Sequence, residues 1–389
     1  MKFLFVLPLL ITTILAQGFG GASDGLAGFG NVARGFANIA GGLADGAAQA
    51  FSNVAQGTVN SVANFLPKVS ELANVKKFDD FLEQTGQAIS EADRTFREGI
   101  FAATKNLVDA GNQAFVNGIF TFHMAVNAFA DLTREEFIKK YTGRIRSSES
   151  DAHTAVSNKK VDFLDDSPAP DSFDWREKGG VSAVKNQLTC GACWAFATTG
   201  AIEGHTFAAT GTLPDLSEQN LIDCGPREDF GLNGCKGGFQ EAALCWISEN
   251  QKGVSQAESY PYVNSKESCK FQPNELGAHV SGFGVVPPGD EEVLKRVVAT
   301  LGPVACSVSV SNSLQFYGSG IFNDEKCNEL DLAHSILVVG YGSENGKDYW
   351  IVKNSWDTTW GEKGYFRIRR GKNLCKIADE CSYPVVKNS

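Results

Sequence analysis

The chain has 389 residues, 43% hydrophobic and 21% charged; at about 150 residues per domain this leaves room for two or three globular units with a substantial core. A net charge of −10, with no long block of basic residues, excludes readers of the nucleic-acid backbone and binders of anionic membranes. Ten cysteines are too sparse for a disulfide-built miniprotein, and all lie from Cys190 onward, so cysteine chemistry belongs to the C-terminal half.

In chain order, Lys2 precedes an apolar run from Phe3 to Leu15 that ends at Ala16, which gives residues 1–16 the charge, length and small-residue exit of a signal peptide. The run is too short to cross roughly 30 Å of hydrocarbon, and no later stretch reaches the roughly 20 residues required, so no transmembrane segment is expected. The secretory route is oxidising, and most of the cysteines should pair. Residues 17–68 are rich in Gly and Ala, with a loose repeat in Gly28-Phe29-Gly30-Asn31-Val32-Ala33 and Gly35-Phe36-Ala37-Asn38-Ile39-Ala40. Each glycine costs a helix about 1 kcal/mol, so a low-complexity extension is expected, with an amphipathic segment that orders on a partner or an interface as the alternative.

Over residues 69–146 the pattern turns helical: Phe78, Phe81, Leu82, Ile89, Phe96, Ile100, Phe101, Leu107 and Val108 recur at threes, fours and sevens among charges. A polar, acidic stretch at 147–168, with Pro168 and Pro170 at its end, reads as an exposed, protease-accessible linker. The remainder, 169–389, begins with a helical pattern from Cys193 to Gly211. It continues with the strand-like runs Pro303–Val310, Ile336–Gly340 and Tyr349–Val352. Helices first and strands later imply an α+β architecture in two lobes.

The strongest local signal is Gln187-Leu188-Thr189-Cys190-Gly191-Ala192-Cys193-Trp194, a glycine-containing turn that leads into a helix beginning at Cys193. A thiol there faces the unsatisfied N–H groups and positive dipole of the helix end, which lowers its pKa and favours the nucleophilic thiolate. A thioredoxin-type redox pair would place the aromatic residue before the first cysteine, in a small βαβ domain. A zinc site would need a second ligand pair, and Cys224 and Cys235 are too far apart in sequence. The remaining alternative is that both cysteines are simply bridged. The partners of a nucleophile lie downstream, in Asp331-Leu332-Ala333-His334-Ser335 and in Tyr349-Trp350-Ile351-Val352-Lys353-Asn354-Ser355-Trp356.

With Cys-Gly-Ala-Cys-Trp followed by this distant His and Asn, the chain from about Asp174 to Pro384 resembles papain-family, cathepsin L-like cysteine proteases. The resemblance implies a helical lobe plus an antiparallel β-barrel-like lobe. It implies Cys193 as nucleophile, His334 as its proton partner, Asn354 as the group that orients the ring, and Gln187 as side-chain donor of the oxyanion hole. Gly237, Gly238, Phe239, Ser307, Ala333, Trp356 and Glu380 are implied substrate-binding positions. Glu380 would stand at the floor of the pocket for the second residue before the scissile bond, where a carboxylate suits Arg and still admits Phe or Leu. The implied disulfides are Cys190–Cys235, Cys224–Cys269 and Cys327–Cys375, which leaves Cys245, Cys306 and Cys381 open. No metal and no cofactor is implied.

The helical segment fits the same family. Asp93, Arg97, Phe101, Thr104, Val108 and Asn112 follow a degenerate form of the motif of cathepsin L-like propeptides, and Asn127-Ala128-Phe129-Ala130-Asp131 fits a second one, with Ala125 where glycine is usual. The resemblance therefore implies an inhibitory prodomain, held in part by salt bridges from carboxylates such as Asp131, Glu135 and Glu136, and released by cleavage between Asn158 and Pro170. Asp357 and Lys376 also stand where glycine is usual. The expected partners are protein and peptide substrates, the chain's own prodomain and cystatin-type inhibitors, around a monomer. The leader, and the absence of any Asn-x-Ser/Thr acceptor, tilt the expected location to an extracellular or digestive space, with a lysosomal or endosomal site as the alternative.

Overall fold

The computed structural model describes residues 75–143, 168–225 and 231–386. The leader-like residues 1–16, the extension 17–68 and all but the last residue of the linker expected at 147–168 lie outside them. The N-terminal domain comprises α1 (Phe78–Thr85), α2 (Glu91–Val116), β1 (Phe122–Met124) and α3 (Arg134–Tyr141). The C-terminal domain opens with β2 (Phe173–Asp174), α4 (Cys193–Thr210), α5 (Glu218–Cys224), α6 (Gln240–Trp246), β3 (Gly253–Ser255), β4 (Leu276–His279), β5 (Gly282–Val286) and α7 (Glu291–Thr300). It closes with β6 (Val304–Ser309), α8 (Asn312–Gln315), β7 (Tyr317–Phe322), β8 (Leu332–Glu344), β9 (Lys347–Lys353), β10 (Tyr365–Arg369) and β11 (Cys381–Val385).

Local chemistry sets the helix ends of the N-terminal domain. The Ser90 hydroxyl accepts from the Asp93 N–H at the start of α2, and Thr133 and Glu136 satisfy each other's backbone N–H groups at the start of α3. Phe78 and Phe81 of α1 pack on Phe101 of α2, with ring centroids 5.6 and 5.1 Å apart. The propeptide-like motif on α2 holds the domain together through its polar members. Arg97 makes a forked ion pair with Glu136 of α3 at 2.6 and 2.7 Å and donates to the Asp131 carbonyl at 2.9 Å. The Asn112 amide exchanges two hydrogen bonds with the backbone of Met124.

The all-helical reading of this region misses β1. Three residues are too few to display a period, and their partner is β7 in the other domain, on which they lie antiparallel. The large sheet runs β1-β7-β10-β9-β8-β6-β11-β5, with β2 on β8. The pairings along this sheet are antiparallel, as expected of the β-barrel-like lobe, except that of β10 with β7, which is parallel. The core of the sheet lobe, with Val308, Val338, Trp350 and Phe366, is continuous with Phe81, Phe101, Phe122 and Phe137 of the N-terminal domain.

A second core, around Trp194, Ile202, Leu221 and Leu244, fills the helical lobe. Nearly every residue of α4 from Cys193 to Thr206 is buried, and the helix ends at a left-handed Gly211. β8 is buried along most of its length, which explains why Ile336–Val339 read as an uninterrupted apolar run. Four disulfides join Cys190–Cys235, Cys224–Cys269, Cys306–Cys381 and Cys327–Cys375. Cys306 and Cys381 stand opposite each other in the β6–β11 ladder; Cys193 and Cys245 remain outside any bridge. No helix among the described residues is long and apolar enough to cross a membrane.

Candidate active site

Cys193 is the first residue of α4 and is fully buried. The turn before it is fixed by the Cys190–Cys235 bridge and by a hydrogen bond from the Gly191 N–H to the Cys235 carbonyl, at 2.9 Å. Gly191 is required there, because a Cβ would stand 2.8 Å from that same carbonyl oxygen. The first-turn N–H groups of α4, which have no partner within the helix, therefore surround the thiol with positive potential.

His334 lies on β8, opposite Val308 of β6. Its Nε2 is 2.8 Å from Oδ1 of Asn354, which immediately follows β9. That oxygen also accepts the Ser355 N–H at 2.7 Å, which fixes the amide as an acceptor. Nε2 is then the protonated ring nitrogen and Nδ1 carries the lone pair. Nδ1 is buried and makes no hydrogen bond among the described residues. Trp356 stacks on the ring at 4.5 Å and is itself buried. Burial pushes His334 down to about 4, with the bond to Asn354 working the other way, so the covered imidazole is neutral.

Gln187 is held from both sides. Its Oε1 accepts from the Ser355 hydroxyl at 2.7 Å, its Nε2 donates to the Cys190 carbonyl at 3.0 Å, and its own N–H bonds to the Ser355 carbonyl. A primary amide has two N–H donors, and one of them is used in the bond to Cys190.

The cleft is occupied by the chain's own residues just after α3. The Gly143 N–H donates to the Ala333 carbonyl at 3.2 Å, and its carbonyl accepts from the Gly238 N–H at 2.8 Å, so one residue bridges the two lobes. A Cβ on Gly143 would enter the carbonyl group of Gly191 and stand 2.7 Å from its Cα. Trp356 donates its indole N–H to the Tyr141 carbonyl at 2.8 Å, and Phe129 and Phe137 meet the same indole edge-on at 5.5 and 5.2 Å.

Of the substrate-binding positions named from the sequence, Gly238, Ala333 and Trp356 meet at this segment, with Gly237 adjacent in the loop. Gly238 also packs closely on Trp194, whose indole would lie 2.9 Å from an added Cβ. Ser307 and Glu380 form a second group, the Ser307 N–H donating to the Glu380 carbonyl at 2.9 Å. Phe239 is buried in the core of the helical lobe. Sequence reasoning missed Gln240. Its buried amide donates to the Ser307 hydroxyl and the Glu380 carbonyl, both at 3.1 Å, and accepts from Ser335 at 2.9 Å. Of the three acidic residues expected to hold salt bridges in the prodomain, Glu136 makes one among the described residues, to Arg97 of the same domain. Asp131 is buried, with Oδ1 lacking a hydrogen bond among the described residues, and burial raises its pKa.

A sequence profile of the papain family cysteine proteases matches residues 169–385. The chain belongs to that family. A profile of the cathepsin propeptide inhibitor domain matches residues 78–137. Cathepsin L1 of Drosophila melanogaster is 44% identical over 313 residues, which cover 78% of this chain and 83% of that protein. Digestive cysteine proteinase 3 of Homarus americanus is 39% identical over 312 residues, covering 79% and 94%. Among solved structures, digestive procathepsin L 3 of the Tenebrio molitor larval midgut superposes with a TM-score of 0.71 at 37% identity, over 79% of this chain and 97% of that one. The protein is thus a cathepsin L-like, cysteine-type endopeptidase with a propeptide, and the segment in its cleft follows directly on the residues that the propeptide profile matches.

Proposed function

We propose that Cys193, His334, Asn354 and Gln187 form the catalytic group of a zymogen, which hydrolyses peptide bonds through a thioester once the prodomain has left. In the uncovered cleft the Cys193 proton passes to Nδ1 of His334, and the thiolate is stabilised by the end of α4 and by the imidazolium. The thiolate sulfur attacks the substrate carbonyl carbon. The resulting oxyanion is met by the backbone N–H of Cys193 and the second amide N–H of Gln187. Collapse expels the amine, which takes the proton from His334 and leaves the thioester. His334 then deprotonates a water that attacks the thioester, and the acid departs as the thiol re-forms.

The observation that carries this reading is the His334–Asn354 hydrogen bond under Trp356. It supports Nδ1 as the basic nitrogen, with a neutral amide that orients the ring without removing its proton. The deciding experiment replaces Cys193 with Ala in the full chain. Peptidase activity should fall to less than about a thousandth of wild type with the fold retained; substantial residual activity refutes the assignment.

Glu380 is proposed as the specificity carboxylate for Arg at the second position before the scissile bond. For location, the leader-like residues 1–16 and the lack of a glycan acceptor favour release into an extracellular or digestive space, with an endolysosomal site as the alternative. Cystatin-type proteins are the proposed external inhibitors of a monomeric enzyme.

A further inference from the structure

A cavity of about 20 Å³ lies against both Asn354 and Ser335, the neighbour of His334; it has room for about one water molecule. The charged side chains in its wall are Lys185, Glu203, Glu218 and Lys353. They form a single network. Lys185 pairs with Glu218 at 2.8 Å, Glu203 at 3.5 Å and Asp215 at 2.7 Å. Glu218 also accepts from Thr199 on α4, and Glu203 from the Leu216 N–H. Lys353 donates to the Ser182 hydroxyl at 2.9 Å, and that hydroxyl donates in turn to Glu203.

Burying this much charge is costly, and replacing such a cluster with apolar side chains is often neutral or stabilising. Stability is therefore a weak reason for its presence, whereas its placement supplies a strong one. Lys185 is two residues before Gln187. Glu203 is on α4, the helix opened by Cys193. Lys353 precedes Asn354, and Ser335 follows His334. Each of the four catalytic segments has a member in the cluster or its cavity wall, and the links run across both lobes.

We propose that this cluster sets the mutual register of the catalytic groups, with Lys353 and its relay Ser182 as positioning residues that hold Asn354, and through it His334, against Cys193. The inference rests on the catalytic assignment above. In a low-dielectric setting the ammonium of Lys353 has strong geometric preferences, because leaving the Ser182–Glu203 relay would strand it without a partner. Loss of the relay frees the end of β9 to shift, and the transition state is far more sensitive to such a shift than substrate binding is.

The test uses the full chain carrying Ser182→Ala, Ser182→Thr, Lys353→Met or Cys193→Ala, matured with pepsin. Wild type, Ser182→Ala, Ser182→Thr and Lys353→Met are then counted by titration with a thiol-directed affinity label. Ser182→Ala should lower kcat per titrated site about ten-fold with KM within about two-fold, and move the pH profile of Cys193 alkylation upward. Ser182→Thr, which keeps the hydroxyl, should restore both, and Lys353→Met should match or exceed the loss. Wild-type kcat and alkylation profile in Ser182→Ala, or a loss that Ser182→Thr does not restore, overturns the proposal even if Lys353→Met fails to fold. Activity in Cys193→Ala would instead bring down the catalytic assignment on which it rests.

Discussion

Gly143 and Gly238 meet backbone to backbone across the cleft, the Gly238 N–H donating to the Gly143 carbonyl at 2.8 Å. The same Gly143 reaches the Ala333 carbonyl on the other lobe, so at Gly143 the two lobes are bridged through main-chain groups. A side chain has no space there, since the Gly191 backbone fills the position of a Cβ.

Gly143→Val should therefore lift the segment from the cleft and weaken latency. We expect the unprocessed variant to hydrolyse a peptide at neutral pH at least about ten times faster than the wild-type proform. Activity assayed alongside intact mass distinguishes this from premature cleavage.

Acid activation should depend on His123. This residue of β1 is buried against Phe115 at 3.7 Å, and burial lowers its pKa. A released histidine binds a proton as pH falls through about 6.5 while the docked one resists, so the docked form loses stability progressively below that pH. Asp131 acts in the opposite sense, because its raised pKa means that acidification relieves the docked form. Glu136, lowered by its bond to Arg97, stabilises the prodomain internally, not its docking, and gives up that contribution only below about pH 4.3, the usual range for a glutamate. His334 responds in the same direction as His123, so His123→Phe should reduce the response and not abolish it. The pH of half-maximal processing should fall by about half a unit or more, measured by mass loss across a pH series; an unchanged midpoint would exclude His123.

Replacing Glu380 with Ala should lower kcat/KM for substrates with Arg at the second position before the cleaved bond by about ten-fold while sparing Phe. The backbone carbonyl of Glu380 holds Ser307 and Gln240 whatever its side chain, so the pocket wall should survive. An unchanged Arg-to-Phe ratio would remove Glu380 from the specificity site.

Leu188 is a stability liability that can be corrected. Its φ of 52° lies in the left-handed region, and its side chain is 44% exposed, so little packing offsets the backbone cost. Leu188→Gly should raise the unfolding free energy by about 1 kcal/mol, read as a shift of the guanidinium midpoint, with kcat/KM within about two-fold of wild type.

The parts legible in the sequence are those written in local strings. Cys193 at a helix start, His334 and Asn354 each sit in a motif that names its own context, and the glycine signal at 211 marks the end of α4. Even the departures are informative: Asp357 and Lys376 stand where glycine is usual because both have left-handed φ, 70° and 59°. Long-range pairing was not legible. The partner of β1 is a strand nearly 200 residues away, as the separation of 200 between Thr121 and Ile321 at its start indicates. The Cys306–Cys381 bridge depends on the register of β6 on β11. Gln240 belongs to no motif, and its partners Ser307, Glu380 and Ser335 come from three other segments.

The sheet also changes its boundary on maturation. In the zymogen β7 is an interior strand, with β10 on one side and β1 on the other. When the prodomain leaves, Tyr317–Phe322 becomes an edge with unpaired main-chain groups, and Gly318 and Gly320 offer no side chains to obstruct a newcomer. The propeptide is thus a removable guard on a sticky flank as well as a plug. Mature enzyme held without substrate at high concentration should self-associate through that flank, and a soluble peptide spanning residues 120–127 should suppress the association by taking the strand's place.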